Sequence, residues 1–353
     1  MSVTLSVLDL IPVRRGQTSA DAVAATVALA RRADALGYAR YWLAEHHNMP
    51  SVASTTPPVL LGLLAGRTER IRLGSGGVML PNHAPFVVAE QFAALEAAAP
   101  GRIDLGIGRA PGSDPVITAL LRSSGHTSDV DEFPNHVRDI EALLDPDGAG
   151  LRLSTGEQYT VRSTPAAGGA PQLWLLGSSD YSASLAARLG LPYVFANHFS
   201  GQGVERALDL YRSGFVPNDR YPAPRTFLTA NVVAADTAQQ AEAQALPQLH
   251  HMARLRSGQP LTALDTVERA AETVMTAAQQ DLIAGMRPRW FIGEAGDVAE
   301  RLQAFADRYE VDEVMIGPAA AASEGDPVDR APARERTLEL LAAHLPQRAL
   351  AAA

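Results

Sequence analysis

Residues 71–109 read as strand, helix, strand, and both strands end in residues suited to a bound ligand. Ile71, Leu73, the run Gly74-Ser75-Gly76-Gly77 and Val78-Met79-Leu80 make an apolar strand broken by glycines. Ala84 to Ala99 has helical character, and Arg102 to Gly108 is a second apolar strand, followed by Arg109. Two strands joined by a helix lie parallel in one sheet. The fold must therefore contain a βαβ unit whose strand ends carry glycines and an arginine.

The rest of the chain repeats this alternation. Further strands are expected at Val3–Leu8, Ala39–Ala44, Gln172–Leu176, Leu191–Ala196, Phe227–Ala234 and Glu313–Ile316. Helices are expected between them, including one capped by Ser19, one over Thr237–Arg256, one over Thr266–Gln280 and one opened by a capping box of Asp297 and Glu300. Eight strands separated by helices are the pattern of an α/β (β/α)8 TIM barrel. Residues of about 110–170 and 257–290 are less regular and read as insertions after strands 4 and 7 of a single barrel domain spanning 1–353. A doubly wound sheet is the competing fold, but no GxGxxG follows the first strand.

Composition narrows the function. Net charge is −9, with no cluster of basic residues, which argues against nucleic acid and anionic membrane surfaces as partners. The chain has no cysteine, so thiolate nucleophiles, disulfides and Cys-ligated zinc are excluded. No apolar run is long enough to span a bilayer and no signal peptide is evident, so a cytoplasmic location is expected.

Barrel active sites lie at the C-terminal ends of the strands. The residues found there are Glu45, His46 and His47; Gly76, Gly77, Asn82 and His83; Gly108 and Arg109; Ser178, Ser179 and Ser182; and Asn197 and His198. Arg109, with the serines at a helix start, suits a phosphate. Ser179 is equally readable as a helix cap, and Arg109 as a surface ion-pair partner. His46 suits a general base or a structural histidine, and His198 a pocket wall or the core. Adjacent strand residues face opposite ways, so His46 and His47 do not chelate one ion, and no metal site is expected. Gly76-Gly77 marks a bulge or a close approach of ligand to backbone, against which a flat ring can lie.

Glu45-His46-His47 after ARYWLA, then LGSGGVMLPNHAP, AAPGRIDLGIGRA, LLGSSDYSASLAARLGLP and GEAGDVAERLQAFADRYEVDEVMI, resemble in that order the bacterial luciferase-like flavin-dependent monooxygenase family. The resemblance implies a (β/α)8 barrel that uses reduced FMN and O2, through a flavin peroxide, to oxygenate a small organic substrate. A separate flavin reductase would supply the reduced FMN. It implies that Arg109, Ser179 and Ser182 hold the FMN phosphate, with Gly108, Ser178 and Tyr181 beside them, and that His46 is the active-site base. Glu45, His47 and His198 are candidates for the substrate pocket. It also implies a non-proline cis peptide at Gly76–Gly77 behind the flavin ring, and a homodimer formed by helices beside strands two and three. Luciferase proper carries a cysteine where this chain has Gly108, which argues against light emission. An F420-dependent oxidoreductase of the same superfamily and a non-catalytic flavin-binding protein are the alternative readings.

Overall fold

A computed structural model describes residues 2–123, 130–166, 168–199 and 202–346. Through the first half the elements are β1 (Thr4–Asp9), α1 (Ser19–Ala35), β2 (Arg40–Leu43), α2 (Pro57–Ala65), β3 (Arg72–Ser75), β4 (Val78–Met79), α3 (Pro85–Ala98), β5 (Ile103–Gly108), α4 (Pro115–Leu121) and α5 (Phe133–Leu143). Then come β6 (Ala149–Arg152), β7 (Gln158–Val161), β8 (Gln172–Gly177), α6 (Asp180–Leu189), β9 (Tyr193–Phe195), α7 (Val204–Ser213), β10 (Thr226–Ala235) and α8 (Ala238–Arg256). The chain closes with α9 (Val267–Glu272), α10 (Ala277–Met286), β11 (Phe291–Glu294), α11 (Ala295–Tyr309), β12 (Glu313–Pro318) and α12 (Pro332–His344).

Eight parallel strands close on themselves in the order β1–β2–β3–β5–β8–β9–β10–β12, with β12 returning to β1. This is the expected (β/α)8 barrel. The antiparallel hairpin β6–β7 is inserted between β5 and β8, and α9, α10 and β11 follow β10 and α8.

Alternation along each strand fills the barrel in layers. The floor is ionic. Arg40 is buried and donates to Asp104 Oδ2 at 2.7 Å and to Glu313 Oε1 at 2.9 Å. Arg72 donates to Asp104 Oδ1 at 2.6 Å, and Ser6 Oγ donates to Glu313 Oε1 at 2.5 Å. Above the floor lies an aromatic layer of Trp42, Trp174 and Phe227, with ring centroids 4.8–5.9 Å apart. Leu8, Val194 and Met315 pack into it. Trp42 Nε1 reaches down to Asp104 Oδ2 at 3.0 Å, joining the layers. A Cβ on Gly74 would lie 2.5 Å from that indole nitrogen, so only glycine fits below it.

Outside the barrel, Asp9 ties the helices to the sheet. It accepts hydrogen bonds from Thr26 of α1, Tyr41 of β2 and Arg334 of α12.

Local differences from the sequence reading are confined to helix ends and the second insertion. Thr18, not Ser19, caps α1, in a reciprocal box with Asp21. Helix α11 begins at Ala295, so Asp297 sits in its first turn and pairs with Arg301 instead of capping. The expected helix over Thr266–Gln280 is two helices, the second capped by Thr276 with Gln279. Strand β11 gave no separate signal, because its four residues pair only with the far end of the long β10.

Replacing Arg40 with leucine leaves Asp104 and Glu313 as buried carboxylates without their shared cation. The expected loss is about 3–5 kcal/mol of unfolding free energy. Urea denaturation measures it, and a loss below about 1 kcal/mol would show that the floor does not depend on this residue.

Candidate active site

The strand register delivers the functional side chains to one mouth of the barrel, on two sides. Arg109 follows β5, and α6 starts just after β8. The Arg109 guanidinium lies over the Tyr181 ring, 4.0 Å from its centroid, which brings the arginine to the start of α6. Among the described residues no carboxylate pairs with it. Ser179 caps α6, and Ser182 closes the reciprocal box. The first intrahelical bond is Ala183 N to Ser179 O at 3.3 Å, which leaves the amides of Asp180 and Tyr181 ahead of it. The Asp180 carboxylate is paired with Arg206 at 2.7 Å. Ser182 Oγ also bonds the Tyr193 hydroxyl at 3.2 Å. Ser179 is thus a cap, while the Arg109 guanidinium stacks on the Tyr181 ring. Gly108 and Ser178 lie at the two strand ends that frame this cradle.

The glycine pair separates β3 from β4, and the Gly76–Gly77 peptide is cis, as the resemblance implied. Gly77 approaches β5 so closely that a Cβ there would lie 2.8 Å from the Gly106 carbonyl oxygen.

The opposite side of the mouth holds a cavity of about 190 Å³. His46 and His198 both line it, as do Leu8, Leu10, Asn231 and Gly317 from other strand ends. Burial holds His46 below the ordinary imidazole range, partly opposed by the Gly112 carbonyl, and its buried Nδ1 has no hydrogen-bond partner. Burial, with His46 nearby, pushes His198 down to about 4, and its Nδ1 meets Thr229 Oγ1 at 2.6 Å. Both rings are therefore neutral at pH 7.

Glu45 and His47 do not line this cavity. Glu45 is 1% exposed, and its Oε1 accepts from His47 Nε2 at 2.9 Å and His83 Nε2 at 2.8 Å. Its Oε2 accepts from the Met79 amide at 3.0 Å. Burial opposes the charge, but the hydrogen bonds from the two histidines outweigh it and hold the carboxyl at about 2. Glu45 therefore clamps the turn after the cis peptide to the loop that carries His46. Asn82 fastens the same region by donating to the Pro111 carbonyl at 2.7 Å. No metal-binding cluster of histidine and acidic residues occurs among the described residues. Sequence reasoning placed Glu45 at the site but missed its clamp, and it missed Thr229, Asn231 and Gln248 of the cavity region altogether. None of these sits in a local motif.

A basic cradle and a cavity at the C-terminal mouth of the strands place the protein among (β/α)8-barrel enzymes. The chain belongs to the luciferase-like monooxygenase family, whose model it matches over residues 3–310, and it is an oxidoreductase. A luciferase-like monooxygenase of Escherichia coli (strain K12) is 41% identical over 322 residues, covering 89% of this chain and 91% of that protein. The solved structure of apo-MsnO8 superposes with a TM-score of 0.81 at 33% identity, covering 99% of each chain. The fold is shared with the oxygenating constituent of 3,6-diketocamphane monooxygenase from Pseudomonas putida in complex with FMN (TM-score 0.71, 16% identity, 98% of each chain). It is shared too with an F420-dependent secondary alcohol dehydrogenase (TM-score 0.65, 13% identity, 98% of this chain and 99% of that one).

Replacing Glu45 with glutamine is expected to cost on the order of 3 kcal/mol near neutral pH. Because the folded-state pKa is depressed from 4.5 to about 2, this contribution is complete above about 4.5 and fades as pH falls through about 2. The stability gap between the parent protein and the variant should therefore narrow on acidification. Urea titrations at several pH values test this, and a gap independent of pH would rule out the ionised carboxylate as its source.

Proposed function

We propose that the chain is a flavin-dependent monooxygenase that uses reduced FMN and O2 to oxygenate a small organic substrate. The observation that carries this reading is Arg109, a guanidinium with no carboxylate partner among the described residues, poised over the ring at the start of α6. A planar fork of donors beside the free amides of a helix N-terminus suits a phosphate. The glycine pair between β3 and β4 carries no side chains and suits a flat ring system. The FMN named with the diketocamphane enzyme supports the same cofactor.

When bound, reduced FMN supplies the electrons that activate O2. The chain's own residues do the rest. Arg109, Ser178, Ser179, Ser182 and the α6 amides hold the phosphate, with Tyr181 bracing the arginine. His46, neutral and in the cavity wall, takes or returns a proton there. The apolar cavity wall excludes bulk water from the reaction. A separate flavin reductase would deliver the reduced cofactor. The F420 reading rests on the shared barrel with the alcohol dehydrogenase.

Titration of the flavin-free protein with FMN, riboflavin and F420 distinguishes these readings. FMN is expected to bind most tightly. Replacing Arg109 with alanine should weaken FMN at least ~10-fold, about 1.4 kcal/mol, yet leave riboflavin, which lacks the phosphate, nearly unchanged. Preference for F420, or equal losses for FMN and riboflavin, would overturn the assignment.

We further propose a homodimer through α2 and α3, the helices beside β2 and β3. They expose the apolar side chains of Val59, Leu63, Phe86 and Val87 at 38–70%, and apolar surface on neighbouring helices suits burial against a second copy. Sedimentation should show a dimer for the parent chain and a monomer for Phe86→Glu. A monomeric parent would refute this.

A further inference from the structure

Three arginines from separate parts of the chain converge on one buried carboxylate. Asp265, just before α9, accepts from Arg15 Nε at 2.8 Å and from Arg254 Nη1 at 3.4 Å, and Arg269 Nε lies 3.3 Å away. None of the three pairs with any other carboxylate among the described residues. Burial opposes the Asp265 charge, but Arg15 and Arg254 hold its carboxyl below the ordinary range, so it is ionised at pH 7. One negative charge against three guanidinium groups leaves the cluster strongly positive, in a chain whose net charge is −9. Arg15 and Arg254 line an open depression of about 280 Å³ with Gln259, Pro260, Thr262 and Gln279. Asp265 takes only Nε of Arg15 and Nη1 of Arg254, so both terminal nitrogens of Arg15 and two nitrogens of Arg254 still have donors to offer. The Gln259 side-chain amide has no hydrogen-bond partner among the described residues. None of these lining residues borders the cavity beside His46, and none belongs to the Arg109 cradle at α6.

We propose that this depression is a second anion site, which binds a phosphate group through Arg15 and Arg254 with the Gln259 amide beside them. Guanidinium forks from two sides match the oxygens of a tetrahedral oxyanion, and a dianion offsets the charge that Asp265 leaves uncompensated. The walls are polar apart from Pro260 and include no aromatic ring, so they suit the phosphate itself and not a nucleobase or an apolar tail. Inorganic phosphate and a small phosphomonoester present the same group. The site shares no residue with the cradle and is present whichever cofactor the cradle takes.

Calorimetry with sodium phosphate on the flavin-free full chain tests this at about pH 8, where phosphate is mainly a dianion. Sodium chloride holds the ionic strength constant, so that screening does not pass for binding. Arg109→Ala is the working background, because it removes the cradle as a competing phosphate site. Phosphate is expected to bind this background with a Kd on the order of 1 mM. Arg15→Gln or Arg254→Gln, added to it, should each weaken phosphate at least ~5-fold. Acetate, a monoanion, should bind more weakly than phosphate. Urea midpoints without phosphate check that each variant is folded, and Arg15, 47% exposed, is the substitution that decides if Arg254→Gln fails to fold. Glycerol 3-phosphate separates the two sources: tighter binding than phosphate assigns an organic phosphate, and equal or weaker binding assigns the free ion. No phosphate binding in the Arg109→Ala background, acetate binding as tightly as phosphate, or an affinity that Arg15→Gln leaves unchanged would overturn the proposal.

Discussion

One guanidinium inside the barrel organises what lies above it. Arg40 is 1% exposed and holds carboxylates from β5 and β12, two strands remote from each other in sequence. Its own strand must present it inward, and strict alternation then presents Trp42 inward in the next layer. Trp42 reaches back to the same Asp104 that Arg40 holds, so the ionic floor and the aromatic layer share a register. A slip of one residue in β2 would turn both side chains out of the barrel, strip Glu313 of Arg40 and leave Asp104 with Arg72 alone. The floor thus specifies how the strands align, whatever it adds to stability.

The layers thin toward the mouth. Large rings fill the middle, and glycine or small residues then replace them: Gly76, Gly77 and Gly106 beside β3 and β5, Ala44 after β2, Gly317 in β12. The rings pack against one another below, whereas the absence of side chains above creates room for a ligand. The bulge between β3 and β4 is part of this change. There Gly77 lies against the β5 backbone, an approach that any side chain would block.

The sequence exposed the parts that are local. Apolar runs spaced by helices showed eight barrel strands, and the position of Arg109, His46 and the serines just past strand ends showed which mouth they share. Contacts between distant residues were not legible. Arg40 meets Glu313 across 273 positions and Asp9 meets Arg334 across 325, and no spacing rule links such pairs. Helix α11 misled for a local reason: Asp297 has the chemistry of a cap, yet pairing of β11 with β10 fixes the strand so that the helix must start at Ala295. The split of the 266–280 segment has a similar cause, since Thr276 caps a new helix where periodicity alone runs on.

Glu45 and His46 show how adjacent residues divide one site. Consecutive side chains leave an extended chain in opposite directions. His46 turns into the cavity and remains unpartnered at Nδ1, whereas Glu45 turns away and collects His47, His83 and the Met79 amide. The neighbouring carboxylate does the holding, and it remains ionised because its donors exceed the cost of its burial. Through Met79 the same carboxylate grips the turn that follows the cis peptide. The positions of His46 and of the glycine bulge are therefore set by one buried charge. Arg109 lies apart, on the other side of the mouth, with no carboxylate partner among the described residues.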